Sequence, residues 1–420
     1  MELSKEIQEF LFNDAVERFL RYVKVWTTSD QNRETVPTTK NQFDLGKLLV
    51  EELKALNLED VIHDEYGFVY AYLPPSEGFE KKTAIGLLAH LDTSDAVSGK
   101  NVKPVIHQNY DGSVIKFAQD KGLTLHFVDS PLLEKYIGLD IITSEGDTLL
   151  GADDKAGIAE IMAACAAWHK YPELKHGPIA ICFSPDEETG LGITKVDEKR
   201  LPKICYTVDG GEMGELEYEC FDAWRATFIF KGLSVHPGYA KNKMINSIQI
   251  ACNFFSELPE AESPQHTEKR EGFYHLTRLQ GIAEEATAKV IIRDFVEKHN
   301  QKRIEYIKKL KDAYEVRYPG LEIQVDFLHQ YQNMIKFLEK KQIIIDLAKQ
   351  AIENSGLELI MHPIRGGTDC SKLSAKGILT PNIFAGGLLF HSRKEHIPSL
   401  ALQKAAEVLI YLAELWTKEK

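Results

Sequence analysis

Apolar positions recur at helical spacing over residues 5–24 and 43–56, so the pattern predicts that the chain opens with two helices. Short runs of consecutive apolar residues follow, and we predict that each run is a buried strand. These runs are 83–89, 148–150, 179–184 and 204–208. Between the second and third runs, residues 155–171 are rich in alanine and apolar nearly all round, which is typical of a buried crossover helix. The order strand, helix, strand indicates a mostly parallel sheet with helices on both faces.

After Asp209 the pattern changes to alternating strands and amphipathic helices. The predicted elements are strand 223–231, helix 242–258, strands 272–279 and 287–294, helix 296–317 and strand 321–328. This order, β-α-β-β-α-β, is that of a ferredoxin-like unit.

The last part of the chain returns to the first pattern, with a helix predicted over 335–354 and an apolar stretch over 380–390. We interpret the apolar stretch as another parallel strand, ending at His391. The predicted organisation is therefore an α/β domain formed by residues 1–220 and 330–420. A ferredoxin-like α+β domain is inserted between them at 221–329.

Composition narrows the class of protein. The chain has 420 residues, 44% of them hydrophobic and 27% charged, which is enough to form a large core. With 63 acidic and 50 basic residues the net charge is −13, so we expect neither nucleic acid nor an anionic membrane as a partner. We expect no membrane span and no signal peptide. Six scattered cysteines without a C-x-x-C pair favour a reduced, cytoplasmic protein.

Each of the four apolar runs leads into polar residues, and these include acids and a histidine. The polar residues are His90 and Asp92, Asp153 and Asp154, Glu187 and Glu188, and Asp209. Ligands bind open parallel sheets beyond the carboxyl ends of the strands, which is where these side chains would meet. A hydrolytic metal site needs imidazoles and carboxylates as ligands and a separate carboxylate as proton acceptor. The sequence supplies each of these parts.

Each residue also has an ordinary structural interpretation. A histidine after a strand is commonly a hydrogen-bonded core residue, and an aspartate before a helix is commonly its N-cap. Three acids in a loop are commonly solvated, and Asp209 before two glycines suits a turn. The paired acids favour function, because one member of a pair can bind metal while its neighbour stays free as a general base. Asp92, two residues after His90, would share its face of the strand and orient its imidazole.

His391 completes the candidate ligand set, with His396 in the same loop as an alternative. We prefer His391 because it follows the predicted strand and lies four residues before Glu395. Three carboxylates and two imidazoles around two divalent ions leave a charge of +1, which a bridging hydroxide would neutralise, so two ions fit better than one. Nitrogen and oxygen ligands without a thiolate suit zinc, with cobalt or manganese as substitutes.

Five segments carry a resemblance to a known family. They are HLDTSDAVSGKN (90–101), LLGADDKAGIAEIM (149–162), SPDEETG (184–190), YTVDGGEMGELE (206–217) and PIRGGTDCSKLS (363–374). In order and approximate spacing the chain resembles the M20 family of dinuclear-zinc metallopeptidases, and within it the tripeptide aminopeptidase branch. The resemblance implies a zinc-peptidase catalytic domain that carries an inserted lid domain.

The resemblance also implies a role for each matching residue. One zinc would be held by His90, Asp153 and Asp209, and the other by Asp153, Glu188 and His391, with Asp153 bridging. Glu187 would be the proton acceptor and Asp92 the carboxylate behind His90, and the Asp153–Asp154 peptide bond would be cis. In the inserted domain, His236 would help to stabilise the oxyanion and Arg293 would bind the substrate carboxylate.

The function implied is a cytoplasmic zinc aminopeptidase that removes the N-terminal residue from tripeptides. Two alternatives stay open at this point. One is another hydrolase of the same family, such as a dipeptidase, carboxypeptidase or deacylase, and the other is a catalytically silent metal-binding scaffold. Association of two copies through the inserted domain is a further hypothesis from the resemblance.

Overall fold

The computed structural model describes residues 2–419, which divide into two compact units. The first unit contains the chain up to Tyr218, residues 337–362 and the chain from Thr368 onward. The second contains Glu219–Lys336 and the short segment Pro363–Gly367. The predicted boundaries were 220/221 and 329/330.

The helices and strands are numbered here in chain order. The helices are α1 (Lys5–Tyr22), α2 (Gln42–Ala55), α3 (Ala152–Lys170), α4 (Ser247–Ser256), α5 (Glu297–Arg317), α6 (Ile335–Leu338), α7 (Ile343–Asn354), α8 (Asp369–Ala375) and α9 (Ser399–Lys418). The strands are β1 (Glu59–His63), β2 (Val69–Leu73), β3 (Ile85–His90), β4 (Val105–His107), β5 (Ile115–Lys116), β6 (Thr124–Leu125), β7 (Ile141–Thr143), β8 (Ile179–Ser184), β9 (Cys205–Gly210), β10 (Leu216–Glu217), β11 (Asp222–Lys231), β12 (Phe273–Gly281), β13 (Glu285–Asp294), β14 (Glu322–Tyr331), β15 (Asn382–Phe384) and β16 (His396–Pro398).

The first unit is built on a seven-stranded sheet in the order β1-β2-β8-β3-β9-β15-β10. Its four central strands, β8, β3, β9 and β15, run parallel, and the strands at both edges are antiparallel. Every residue of β3 is buried, as expected for a strand that is covered on both faces. The predicted α/β class with a central, mostly parallel sheet is confirmed.

Helix α3 lies against β3 and β9 and also packs on α1 and α9. Its apolar residues are almost all buried, and complete burial of each large one, such as Ile158 or Met162, contributes about 1.5–3 kcal/mol. Gly157 allows the close approach, because a Cβ at this position would lie 1.9 Å from the carbonyl oxygen of Val208 in β9. On the other face of the sheet, Leu88 and Cys182 pack with Leu373 of α8.

Four predicted elements differ from the structure. Residues 148–150 form no strand, because the amide of Leu150 donates to the side chain of Glu395 and not to the backbone of a neighbouring strand. The stretch 380–390 is a strand only over β15, and the chain then turns through a glycine-rich loop before His391. The helix predicted over 335–354 is interrupted between α6 and α7, and the helix predicted over 242–258 is shortened to α4.

The second unit is a four-stranded antiparallel sheet in the order β12-β13-β11-β14, with α4 and α5 packed on it. Its core is aromatic, and Phe228, Phe230 and Phe254 are fully buried. The order β11-α4-β12-β13-α5-β14 is the predicted ferredoxin-like order. The inserted α+β unit is therefore confirmed.

The sequence pattern gave no prediction for residues 102–147, which belong to the first unit. Here β4 and β7 join β16 in a three-stranded sheet, and β5 pairs with β6. A small core that includes Tyr110, Phe117 and Tyr136 packs against Leu388 and Leu389, which accounts for the apolar residues that precede His391. Within residues 2–419, no helix combines the length and the hydropathy needed to cross a bilayer.

Candidate metal centre

Three of the five predicted ligands lie at or shortly after the carboxyl ends of the central strands. His90 is the last residue of β3, Asp209 lies at the end of β9, and Glu188 follows β8. Asp153 lies at the start of α3, where its backbone is not helical. His391 lies in the loop after β15, with a positive φ of 58°. Although His391 does not directly follow the strand as predicted, the loop brings it to the same place.

The five side chains form two groups that share Asp153. In the first group, the His90 Nε2 atom lies 2.7 Å from Asp153 Oδ1 and 3.4 Å from Asp209 Oδ1. In the second, the His391 Nε2 atom lies 3.0 Å from Asp153 Oδ2 and 2.8 Å from Glu188 Oε1. Each oxygen of Asp153 therefore faces a different histidine.

The electrostatics of this cluster suit cations. Burial, together with the charge of Asp153, raises the pKa of Glu188 to about 7. Burial also raises the pKa of Asp209. Hydrogen bonds to Asp153 and Glu188 raise the pKa of His391 to about 10. Three carboxylates that are largely shielded from solvent and in contact with two imidazoles are costly without positive charge, so the donor set fits two divalent ions.

Glu187 lies beside the five ligand candidates without belonging to either group. It lines a small pocket with His90, Asp209 and Asp369, and its Oε1 accepts a hydrogen bond from the amide of Asp369 at 3.3 Å. Burial, and then the charges of Asp209 and Asp369, raise its pKa well above the usual value for a glutamate. A carboxylate with a raised pKa holds a proton more readily, as a general base requires.

Asp92 contacts His90 and also the loop after β8. The Nδ1 atom of His90 is 3.0 Å from the main-chain carbonyl of Asp92 and 3.4 Å from its carboxylate. The carboxylate accepts hydrogen bonds from the amides of Glu187 at 2.9 Å and Glu188 at 3.3 Å. The carbonyl is thus the nearer partner of the imidazole, and the carboxylate fixes the turn that carries Glu187 and Glu188.

Of the Asp153–Asp154 pair, Asp154 has the structural role, a helix cap, that the sequence analysis gave as the alternative to metal binding. Its two carboxylate oxygens accept hydrogen bonds from the amides of His90 at 3.0 Å and Gly157 at 3.2 Å. Asp154 therefore caps the regular part of α3 and fixes the end of β3. The Asp153–Asp154 peptide bond is cis, as the family resemblance implied.

Two buried acids near the cluster were not predicted to have a role. Asp186 accepts hydrogen bonds from the amide and hydroxyl of Thr38, both at 2.6 Å, and from the Gln42 side chain at 2.7 Å. Glu395 accepts hydrogen bonds from three main-chain amides of the turn before Asp153. Their charges are visible in the sequence, but their partners come from distant segments and carry no sequence signal.

His396, the alternative to His391, lies away from the cluster. It is fully buried in β16, where its ring nitrogens lie 2.9 Å from the Lys394 carbonyl and 3.3 Å from Ser130 Oγ. Burial lowers its pKa to about 4, so it is a neutral core histidine.

The two predicted substrate-binding residues, His236 and Arg293, belong to the second unit. The exposed His236 accepts a hydrogen bond from the amide of Gly238 through Nδ1. Arg293 is half-buried in β13, where it donates to the carbonyl of Trp224 at 2.9 Å and to Gln330 Oε1 at 3.0 Å. Burial lowers its pKa.

Comparison with known proteins gives concordant results. The model of a family described as peptidase family M20/M25/M40 matches residues 145–415. The chain is 45% identical to a peptidase T of Clostridium acetobutylicum, over 97% of this chain and 100% of that one. Its fold is similar to that of aminopeptidase PepT from Bacillus cereus, with a TM-score of 0.76, 23% identity and coverage of 97% and 99%. A tripeptidase from Staphylococcus aureus has a TM-score of 0.77, 19% identity and the same coverage.

Proposed function

Because the chain belongs to peptidase family M20/M25/M40, we propose that it is a metal-dependent aminopeptidase that removes the N-terminal residue from tripeptides. The relative with 45% identity over nearly the whole length is a peptidase T, and a structural neighbour is described as a tripeptidase. Another structural neighbour is described as an aminopeptidase, and the words tripeptidase and aminopeptidase together describe the reaction that we assign to this chain. A catalytically silent scaffold is not favoured, because each ligand candidate and Glu187 is present.

The observation that carries the proposal is the position of Asp153 between two histidines, one facing each carboxylate oxygen. In the proposed site, His90, Asp153 and Asp209 hold one ion, and Asp153, Glu188 and His391 hold the other. We propose zinc as the metal, because nitrogen and oxygen donors without a thiolate suit it. When bound, such a metal pair polarises the scissile carbonyl and lowers the pKa of a water.

Residues of the chain itself carry out the proton transfers and hold the transferring group in position. Glu187 takes a proton from the attacking water at its carboxylate and passes that proton to the nitrogen of the leaving amine. The amide of Asp369 and the turn fixed by Asp92 hold Glu187 in place for both transfers. Asp92 also orients His90, through its carbonyl and its carboxylate.

Substrate recognition is assigned to the second unit. We propose that His236 donates a hydrogen bond to the developing oxyanion and that Arg293 binds the C-terminal carboxylate of the peptide. The guanidinium of Arg293 is held by Gln330 and by main-chain carbonyls, which fixes its plane. Association of two copies through this unit is part of the proposal. Sedimentation equilibrium tests it, and a strictly monomeric active enzyme would exclude it.

The cytoplasm is the proposed location. All six cysteines are free, and five of them are buried, so the fold is complete without a disulfide. Proteins that keep their thiols reduced are typical of the cytoplasm. Cell fractionation with an antibody against the chain tests this assignment, and recovery from the extracellular medium would contradict it.

Hydrolysis of matched peptides tests the proposed activity. A tripeptide with a free amine is expected to lose its N-terminal residue, whereas its N-acetylated form is expected to be cleaved far more slowly. Dipeptides and tetrapeptides of the same residues test the length preference, and chelation tests the need for metal. Equal cleavage of free and acetylated tripeptides would point instead to a deacylase or carboxypeptidase of the same family.

A further inference from the structure

Glu395 is a buried carboxylate, 1% exposed, to which the proposed chemistry gives no role. Its Oε2 accepts hydrogen bonds from the amides of Leu150 at 2.8 Å and Gly151 at 2.9 Å, and its Oε1 accepts one from the amide of Asp153 at 3.1 Å. Both oxygens are therefore occupied by main-chain donors. Glu395 is thus placed to hold backbone and not to bind an ion.

The backbone that it holds carries the shared ligand. The three amides converge because Gly151 adopts a left-handed conformation with φ of 85°, which residues with a side chain rarely adopt. Asp153 lies at the end of this turn and presents one oxygen to each histidine. Any movement of the turn would shift both oxygens of Asp153 together.

Glu395 also ends the loop that carries the second histidine. Its own amide donates to the carbonyl of Ser392 at 3.3 Å, which closes a short turn that begins at the residue after His391. The side chain of Glu395 therefore ties the loop of His391 to the turn of Asp153. Asp92 makes a comparable link by holding the amides of Glu187 and Glu188.

We propose that Glu395 is a positioning residue for the metal pair, because it ties the turn that carries Asp153 to the loop that carries His391. This inference rests on the proposed metal site but not on the identity of the substrate. Residues behind metal ligands typically change metal affinity by about 10- to 100-fold when they are replaced. A change of this size is expected for Glu395.

Titration of metal-free protein with Co²⁺, followed by visible absorption, tests the proposal. The unmodified chain is expected to bind two equivalents. In Glu395→Gln the amide group cannot accept all three hydrogen bonds, so at least one equivalent should bind about 10-fold or more weakly, with an altered absorption spectrum. Glu395→Asp keeps the charge but is one methylene shorter, and its loss of affinity should be smaller.

Glu407→Gln is the matched control, because Glu407 is an equally buried carboxylate that pairs with Lys404 and Gln403 in α9. It should lower thermal stability and leave Co²⁺ binding unchanged. Unchanged binding of both equivalents in folded Glu395→Gln would overturn the proposal. If that variant does not fold, weakened binding in Glu395→Asp supports the proposal, and unchanged binding in Glu395→Asp overturns it. A protein that binds two ions but does not cleave tripeptides would refute the proposed substrate and not this role.

Discussion

At the scale of single residues, Asp153 and its neighbours show what a sequence can reveal. His90, Asp209 and Glu188 were predictable because each follows a long apolar run, and the ends of such runs meet in a parallel sheet. Asp186 and Glu395 were missed because their partners are main-chain amides and side chains from distant segments. A buried acid that holds backbone looks the same in a sequence as a solvated one.

Glu187→Gln tests the division of labour between the paired glutamates. The variant should retain two metal equivalents, because Glu187 belongs to neither ligand group. Its kcat for a tripeptide should fall about 100- to 10,000-fold, because the proton acceptor is lost. Metal analysis and steady-state kinetics provide the measurement, with Glu198→Gln, a surface carboxylate of the same unit, as control. Full activity in Glu187→Gln would refute the mechanism.

Glu160 offers a test of stability at the residue scale. It is fully buried in α3 with both carboxylate oxygens unpaired among the described residues, and burial raises its pKa well above the usual value. The folded protein must keep this group protonated, while the unfolded chain ionises it above about pH 4.5. The carboxyl therefore costs stability increasingly as the pH rises above that value, by about 1.4 kcal/mol per pH unit until the raised pKa is reached.

Glu160→Gln removes this ionisation, so the variant should be more stable than the unmodified chain at pH 8 and closer to it at pH 5. Urea unfolding at the two pH values is the measurement. Glu407→Gln serves as control, because it removes a paired carboxylate and should destabilise at both values. A difference that does not change with pH would show that Glu160 does not titrate in this way.

At the scale of elements, the patterns of β3, β8, β9 and α3 predicted the structure well, whereas the short strands of residues 102–147 and the long patterns over 335–354 and 380–390 did not. The buried strands β3, β8 and β9 each contain a continuous apolar run, and helix α3 contains a long alanine-rich one. The strands between residues 102 and 147 have two or three residues each, which is too short for any periodicity to show. The strand predicted at residues 148–150 was wrong because the apolar side chains of a buried turn resemble those of a strand.

Gly157→Ala tests the close contact between α3 and β9. The new methyl group would collide with the Val208 carbonyl, one residue before Asp209, so the helix and strand must separate. We expect a loss of about 1–3 kcal/mol in the free energy of unfolding. Gly122→Ala is the control, because a methyl group there would meet only the Asp120 side chain, at 3.4 Å. Equal stability of the two variants, measured by urea unfolding, would contradict this account of the contact.

At the scale of the whole molecule, all five proposed ligands belong to the first unit and none to the second. A ligand stabilises the unit that binds it, by about 4 kcal/mol when its concentration is 1,000 times its dissociation constant. Removal of metal should therefore lower the thermal stability of the first unit selectively. Hydrogen exchange with and without a chelator should show faster exchange in β3 and α3 and little change in β11 and β13. Uniform acceleration in both units would count against the assignment.

Metal binding should also release protons. In the metal-free protein His391 has a pKa raised to about 10, so it is protonated at pH 7 and must lose its proton to become a ligand. Glu188, with a pKa raised to about 7, adds a further fraction of a proton at pH 7 and almost none at pH 9. These two groups together should therefore release more than one proton per protein at pH 7 and fewer as the pH rises, in addition to protons released by His90, whose pKa is also raised.

Calorimetric titration with Zn²⁺ in buffers of different ionisation enthalpy measures this number. His391→Ala provides the control, since it should release about one proton fewer at pH 7. Binding enthalpies that are independent of the buffer would contradict the expected protonation of the site.

The insertion of the second unit separates the proposed ligands along the chain, with four of them before residue 210 and His391 far beyond it. A ribosome must therefore translate the entire inserted unit before it adds the last proposed ligand, His391. Synthesis and maturation are coupled in this way, because a growing chain that lacks His391 cannot complete the second of the two proposed ligand groups. Ribosome-arrested chains that end before residue 391 should be inert towards tripeptides, and activity should appear only once the finished chain is released.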